Sequence, residues 1–327
     1  MNVFVTGGNG FIGSVVVRNL VASGHRVRCL LRPTSRTERL DGVGYARVTG
    51  DVRDAASLQA GIRECHATVH LAAPSSWEDD AISPVSDVIE GGTRNILAAA
   101  REVPGHRVVL VSSTAAVNAS ETPQVFDETS RFTIDAPLVY AQAKHRAEGA
   151  AAAAWADGVP VVIVNPAEVY GPNDTALITA GNLRDFATAS PVLVCNGGTS
   201  VVHVEDVAAG IIAALERGRP GERYILGGEN ITIRQLAELC LDLCGRHARV
   251  VTIPNGLVRA VARGAIRFRI PLPFNPHVVP YATRYWFMDN SKARRELGVT
   301  FRNARATIAS TLDWMRQARM IDTSSAN

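Results

Sequence analysis

A phenol and an ammonium stand four positions apart at Tyr140-Ala141-Gln142-Ala143-Lys144. On a helix, positions i and i+4 share a face. An ammonium beside a phenol favours the phenolate and lowers its pKa, which makes a tyrosine a usable proton donor or acceptor near neutral pH. Alone, the pair would equally suit the outer face of an amphipathic helix. Upstream, Ser112-Ser113-Thr114 closes a β-branched run, and a hydroxyl at a strand end can polarise a carbonyl. Ser113, Tyr140 and Lys144 are therefore the candidate catalytic residues. Of these, Ser113 and Tyr140 would also touch the substrate.

A second constellation lies at the N-terminus, in Thr6-Gly7-Gly8-Asn9-Gly10-Phe11-Ile12-Gly13. Both Gly8-x-Gly10-x-x-Gly13 and Gly7-x-x-Gly10-x-x-Gly13 fit a dinucleotide fingerprint. Residues without Cβ atoms make the tight turn, admit a pyrophosphate to the backbone amides and let helix pack on strand. The following helix N-terminus adds partial positive charge. About twenty positions on, where such sites read the adenosine ribose, stand Arg32, Ser35 and Arg36. An acidic residue there would suit a 2′-hydroxyl. Guanidinium groups suit a 2′-phosphate, so NADP is the expected cofactor, with NAD as the open alternative.

These residues need a frame. Short β-branched runs at Asn2–Thr6, Arg26–Leu31, Tyr45–Val48, Ala67–Leu71, Arg107–Ser112 and Val159–Val164 alternate with helix-length segments near Gly10–Ser23, Asp54–Glu64, Asp87–Val103 and Leu138–Ala156. That alternation predicts an α/β fold: a doubly wound parallel Rossmann-type sheet, with ligands at the carboxyl ends of its strands. After Pro166 the pattern turns irregular, punctuated at 165–173, 190–198, 254–256 and 269–280. The expected division is a dinucleotide-binding domain of residues 1–164 plus return segments 199–227, and a smaller C-terminal substrate-binding lobe of 165–198 and 228–327.

Composition removes other classes. The 327 residues carry a net charge of +3 with no concentrated basic stripe, which argues against nucleic-acid binding. No apolar stretch reaches the length of a membrane span, and the first residues run directly into a strand, leaving no room for a signal peptide. The five scattered cysteines suggest no disulfide framework and no zinc spacing. A cytoplasmic enzyme without metal, acting on a small molecule, is expected.

With these motifs in order, the chain resembles the extended short-chain dehydrogenase/reductases over nearly its whole length. Gly50-Asp51-Val52-Arg53-Asp54, His70-Leu71-Ala72-Ala73, Asn165-Pro166 with Tyr170-Gly171-Pro172, Val202–Val207 and Asp289-x-Ser291-Lys292 all match that family. The resemblance implies that Asp51 and Val52 reach the adenine, that Leu71, Ala72 and Ala73 line the adenosine–pyrophosphate path, that Pro166 borders the nicotinamide, and that Lys144 holds its ribose. Asp51 could instead cap a helix, as could Asp54. The sugar-nucleotide epimerases have a second tyrosine where Val117-Asn118 stands here, and an asparagine where Glu168 stands. The sugar dehydratases have Asp-Glu where this chain has Ala115-Ala116. Ser113 followed by Asn118 is similar instead to the dihydroflavonol 4-reductase branch, which adds Asn118 and Glu168 as substrate-binding candidates. The asparagine of an N-V-x-G-T motif is replaced near Ile89–Thr93.

The expected activity is hydride exchange between NADP(H) and a secondary alcohol or ketone of a medium-sized substrate, cyclic ones included. The rivals are an NAD-dependent nucleotide-sugar epimerase and a non-catalytic, cofactor-sensing protein, the latter disfavoured by the intact Ser–Tyr–Lys set. The alanine-rich helix of Leu138–Ala156 and that of Asp87–Val103 suggest a homodimer. Arginines interleaved with apolar residues over 257–270 would fit a membrane-surface helix, a lid or a solvated face, the last being expected. His70 and His203 read as core histidines. Tyr285 and Trp286 either cap the cleft or pack the lobe.

Overall fold

A computed structural model describes residues 1–74, 85–136, 138–271 and 276–321; the centre of the irregular stretch at 269–280 lies outside them. Its strands are β1 (Asn2–Thr6), β2 (Arg26–Leu31), β3 (Tyr45–Thr49), β4 (Ala67–His70), β5 (Arg107–Val111), β6 (Val125–Phe126), β7 (Val161–Pro166), β8 (Glu168–Tyr170), β9 (Val192–Cys195), β10 (Gly198–His203), β11 (Arg223–Leu226), β12 (Glu229–Thr232), β13 (Val250–Ile253) and β14 (Phe287–Met288). Seven form one parallel sheet in the order β11-β7-β5-β4-β1-β2-β3. The order reverses between β1 and β4. That reversal is where doubly wound sheets open a crevice for ligands.

The helices are α1 (Phe11–Ala22), α2 (Ala55–Ile62), α3 (Gly92–Arg101, entered through a π turn at Asp87–Gly91), α4 (Val139–Ala156), α5 (Ala180–Thr188), α6 (Val204–Arg217), α7 (Ile233–Leu243), α8 (Asn255–Phe268), α9 (Val279–Ala282), α10 (Ser291–Leu297) and α11 (Ala304–Gln317). Strand residues such as Val3, Val5, Val69 and Val109 pack with residues of α1 and α6 on one face, while Phe4, Leu30, Leu110 and Ile163 pack with α2 and α3 on the other. Burial on both faces explains the continuous β-branched runs. Observed boundaries depart from the expected ones by a residue or two.

The division of the chain differs more. Strand β10 was expected with the dinucleotide-binding domain, but it pairs with β12 and β8 in a separate three-stranded sheet; Val202 of β10 and the helix behind it, α6, still pack into the nucleotide-binding core. Conversely Ala293, Leu297 and Val299, assigned to the lobe, are buried in that core. The lobe's own core joins Tyr170, α5, α7 and α11. Strand β14 returns to pair with β6, so late chain is stitched to the loop after Ser113.

Candidate active site

The glycine turn is shaped for close approach. Gly7 adopts φ +69°, and a Cβ there would lie 2.8 Å from the Ala72 amide nitrogen; on Gly13 it would lie 2.1 Å from the Gly7 carbonyl oxygen. Gly8 is against Val17 and Cys29 without a left-handed backbone. The fingerprint is therefore the wider Gly7-x-x-Gly10-x-x-Gly13. Gly10 caps α1 with no side-chain acceptor for its first amides, which leaves them for an anion. Phe11 and Ile12 sit half-buried in that first turn. A Cβ at Gly7 or Gly13 would collide with the backbone of Ala72 or Gly7, so only glycine lets the turn close this tightly beneath the first amides of α1, an arrangement that fits a pyrophosphate.

Thr6 and His70 hold the facing wall. Their side chains are hydrogen-bonded at 2.7 Å, and the Ala72 amide donates to Thr6 Oγ1 at 3.3 Å. Burial and the nearby Lys144 push His70 down to about 3, so it is neutral and structural. His203 is likewise buried, against Ser310 and the start of α6. Leu71, Ala72 and Ala73 lie half-buried beyond β4, Val52 is buried after β3, and Pro166 is buried at the end of β7.

Beyond β2 the backbone is locked: the Arg32 amide donates to Ser35 Oγ at 3.0 Å, and Arg47 donates to the Arg32 carbonyl at 3.0 Å. Arg32 and Arg36 leave this turn exposed. Asp51 is not a helix cap; Asp54 fills that role by accepting from the Ala56 amide. The Asp51 carboxylate is clasped by Arg53 at 2.8 and 2.9 Å, which, with the charge of Arg32 adding to the effect, holds it down at about 2. Arg39 was not singled out from the sequence. It donates to the carbonyls of Asn9 (3.4 Å) and Asn173 (3.1 Å) and to Thr175 Oγ1 (2.5 Å), tying the glycine turn to the lobe. Its partners are far away in sequence, so nothing local marks it.

Ser113 sits just past β5 with its hydroxyl accepting from the Ala115 amide at 3.2 Å, on the side of the Tyr140 phenol. Asn165 donates to the Ser113 carbonyl at 2.8 Å and to Glu148 at 2.6 Å. Lys144 is buried in the next turn of α4; its Nζ donates to the Val111 carbonyl at 2.9 Å and lies 5.8 Å from the Tyr140 ring centroid. Burial lowers its pKa to about 8, against the opposing charge of Glu148. Glu148, itself paired with Arg223, is one helical turn past Lys144, a spacing that sequence alone could have flagged.

One expectation is corrected, and two substrate-binding candidates are found hydrogen-bonded within the chain. The phenol was expected to be lowered by the ammonium. Instead burial raises Tyr140, with the Ser113 hydroxyl as the opposing influence, because Nζ is drawn to the β5 carbonyl. Asn118 was expected to meet substrate. Its amide donates to the Arg131 carbonyl (2.7 Å) and Thr133 Oγ1 (3.1 Å) while its oxygen accepts from the Ala119 amide (2.9 Å), so it pins a loop. Glu168 was also placed on the substrate. Its carboxylate accepts from Tyr170 (2.7 Å) and Asn182 (3.2 Å) within the lobe, where burial raises its pKa. At the position of the missing motif asparagine, Ile89 is buried against Ala143 and Ala147.

An apolar wall borders the phenol. Ala115, Ile134, Leu138 and Ala141 are buried there, joined by Phe132, Tyr281 and Trp286. Trp286 stacks on Tyr281 at 5.8 Å and donates Nε1 to its carbonyl. Tyr285 pairs with Ser120 and Gly198 instead. Trp286 thus faces the cleft cluster, and Tyr285 packs against the loop after Ser113.

Fold and site together define an NAD(P)-dependent oxidoreductase of the extended short-chain dehydrogenase/reductase type. The chain belongs to the NAD dependent epimerase/dehydratase family, whose family model matches residues 3–227. It is 34% identical to a Synechocystis sp. protein provisionally named a dihydroflavonol 4-reductase, over 98% of this chain and 96% of that one. It is 33% identical to the 4-hydroxy-2-methyl-3-oxo-4-farnesyl-3,4-dihydroquinoline-1-oxide ketoreductase of Stigmatella aurantiaca, over 97% and 96%. The crystal structure of gox2253 superposes with a TM-score of 0.85 at 30% identity, covering 98% of this chain and 99% of that one. Among the described residues no helix is long and apolar enough to cross a membrane, and no group of His, Cys, Asp and Glu could hold a metal ion.

Proposed function

We propose that the protein is an NADP(H)-dependent ketoreductase acting on a secondary alcohol or ketone with an apolar body. The observation carrying this reading is the gathering of Ser113, at the end of β5, with Tyr140 and Lys144 one turn apart on α4, at the carboxyl edge of the sheet that bears the glycine turn. NADPH would supply a hydride equivalent to the carbonyl carbon. The Ser113 hydroxyl would then donate to the substrate oxygen, and Tyr140 Oη would deliver the proton as that oxygen becomes an alcohol. Lys144, now held by the Val111 carbonyl, would meet the nicotinamide ribose. Gly7, Gly10, Phe11, Ile12 and Gly13 would carry the pyrophosphate, Leu71, Ala72 and Ala73 the adenosine side, and Asp51 and Val52 the adenine. Pro166 would border the nicotinamide, while Arg32, Ser35 and Arg36 would read the 2′-phosphate. The apolar wall of Leu138, Tyr281 and Trp286 would receive the substrate body. The name of the Stigmatella relative, with its oxo and farnesyl groups, points the same way.

The test is NADPH oxidation across a panel of apolar ketones. Tyr140→Phe is expected to lower kcat on the order of 10²–10⁴-fold, the usual contribution of general acid–base catalysis, while NADPH binding followed by fluorescence stays within a few-fold. Activity of the variant close to the parent's would remove Tyr140 from the chemistry. Tightly bound, non-exchanging NAD in the purified protein would favour the epimerase reading instead.

A further inference from the structure

The large apolar side chains left exposed are not scattered. Of nine among the described residues, five lie between Leu257 and Ile270: Leu257 (58% exposed), Val261 (45%), Ile266 (47%), Phe268 (74%) and Ile270 (56%). Scattered exposed leucines mean little, whereas exposed apolar side chains aligned on one helix face mark an interaction site; Leu257, Val261 and Phe268 align so, while Ile266 lies half a turn around the helix from them. Helix α8 turns only Ala262 and Ala265 fully inward. Leu257, Val261, Gly264 and Phe268 follow one row at helical spacing, so the outward face has an apolar stripe. The face is solvent-exposed, as expected from sequence, and carries this apolar row among its arginines.

Charge says what would cover it. Between Asp242 and Asp289 the chain has seven arginines and no acidic residue, although the whole protein carries only +3. Arg259 anchors α8, donating to Thr283 (3.0 Å) and Glu121 (2.6 Å). Arg263, Arg267 and Arg269 are exposed around the stripe. An apolar row beside exposed cations, with the one nearby carboxylate, Glu121, already paired to Arg259, is the pattern of a helix lying in a membrane interface. At 14 residues α8 is about 21 Å long, suited to lying flat and too short to span. It packs on α9, which carries Tyr281 of the cleft wall.

We propose that α8 is a peripheral membrane anchor that docks the protein on anionic phospholipid. Docking stands by itself. That it brings an apolar ketone from the bilayer to the Tyr281–Trp286 wall rests on the reductase reading above.

The test is co-sedimentation of the full chain, without cofactor, with vesicles of equal parts phosphatidylglycerol and phosphatidylcholine or of phosphatidylcholine alone. Each arginine near an anionic surface contributes about a five-fold gain in partitioning, so three predict a preference for the anionic vesicles on the order of a hundred-fold, falling with salt. Leu257→Ser with Phe268→Ser should weaken binding at least about ten-fold, and Arg263→Gln with Arg267→Gln should lower the anionic preference specifically. Both pairs are surface changes, and unchanged circular dichroism and an unchanged rate on a water-soluble ketone serve as controls for folding. Equal partitioning to both vesicle types, or variants that bind like the parent, would overturn the proposal. So would light scattering showing that the patch instead joins two copies, with the Ser variant alone monomeric. Loss of vesicle binding with intact reductase activity would leave the ketoreductase reading standing, and the reverse pattern would leave the anchor standing.

Discussion

Arg32→Asp tests cofactor choice at its physical root. The turn after β2 fixes the Arg32 backbone through Ser35 and Arg47, so the substitution alters what the side chain offers and leaves the loop in place. A charge-assisted hydrogen bond contributes roughly 1.5–3 kcal/mol, but Arg32 and Arg36 are exposed, and exposed ion pairs fall to about 0.2–1 kcal/mol. Between these limits each guanidinium gives about 1–2 kcal/mol toward a 2′-phosphate, or about 5- to 30-fold. The parent should therefore prefer NADPH over NADH by at least ten-fold and up to several hundred-fold in kcat/KM. The introduced carboxylate would repel the phosphate beside Asp51, which is already anionic because Arg53 holds it near 2. It would also accept from a 2′-hydroxyl, so the ratio should fall at least ten-fold and move toward NADH. Steady-state kinetics with both cofactors read this directly. Equal use of both by the parent, or an unmoved ratio in the variant, would show that Arg32 does not contact the phosphate.

Three further outcomes are expected. Gly13→Ala would put a Cβ 2.1 Å from the Gly7 carbonyl, and fluorescence titration should show dinucleotide affinity down more than ten-fold; unchanged affinity would contradict the cradle. Lys144 has a folded pKa near 8, below its ordinary 10.5. The unfolded chain therefore holds more protons between those values, and Tm should gain from this group as pH rises from about 8 to 10.5. Lys144→Met should remove that part of the slope, and identical slopes would refute the assignment. A homodimer through α3 and the small residues exposed on α4, Gly149, Ala152 and Ala153, should appear by light scattering as twice 34.9 kDa at micromolar concentration; a monomer mass would refute it.

What could be read in advance was local. β-branched runs buried on both sheet faces, the glycine spacing and the i, i+4 pair of Tyr140 and Lys144 each express a constraint among neighbouring residues, and each kept its place. The rest depends on partners distant in sequence. Strand β10 has the same pattern whichever sheet takes it, and it pairs with β12 and β8. Asn118 looks free until the loop at Arg131–Thr133 folds under it. Glu168 meets Asn182 only once α5 packs against β8. Lys144 was aimed at the phenol by spacing, yet Nζ settles on the carbonyl of Val111 in another element. The alternation of Arg and apolar residues in α8 reveals amphipathicity, but which face lacks a cover is decided by the lobe.

Ser120 is bridged to Tyr285, Val125–Phe126 to Phe287–Met288, and Glu128 accepts from the Ile225 amide. The loop leaving Ser113 is thus closed by chain far downstream of it. Nucleotide-binding strands can pair as they emerge, since most join neighbours in the first half of the chain, whereas closing long loops is slow. A chain cut before Tyr285 would lose that closure together with Ala293, Leu297 and Val299 of the nucleotide-binding core, so one downstream segment completes both halves of the site.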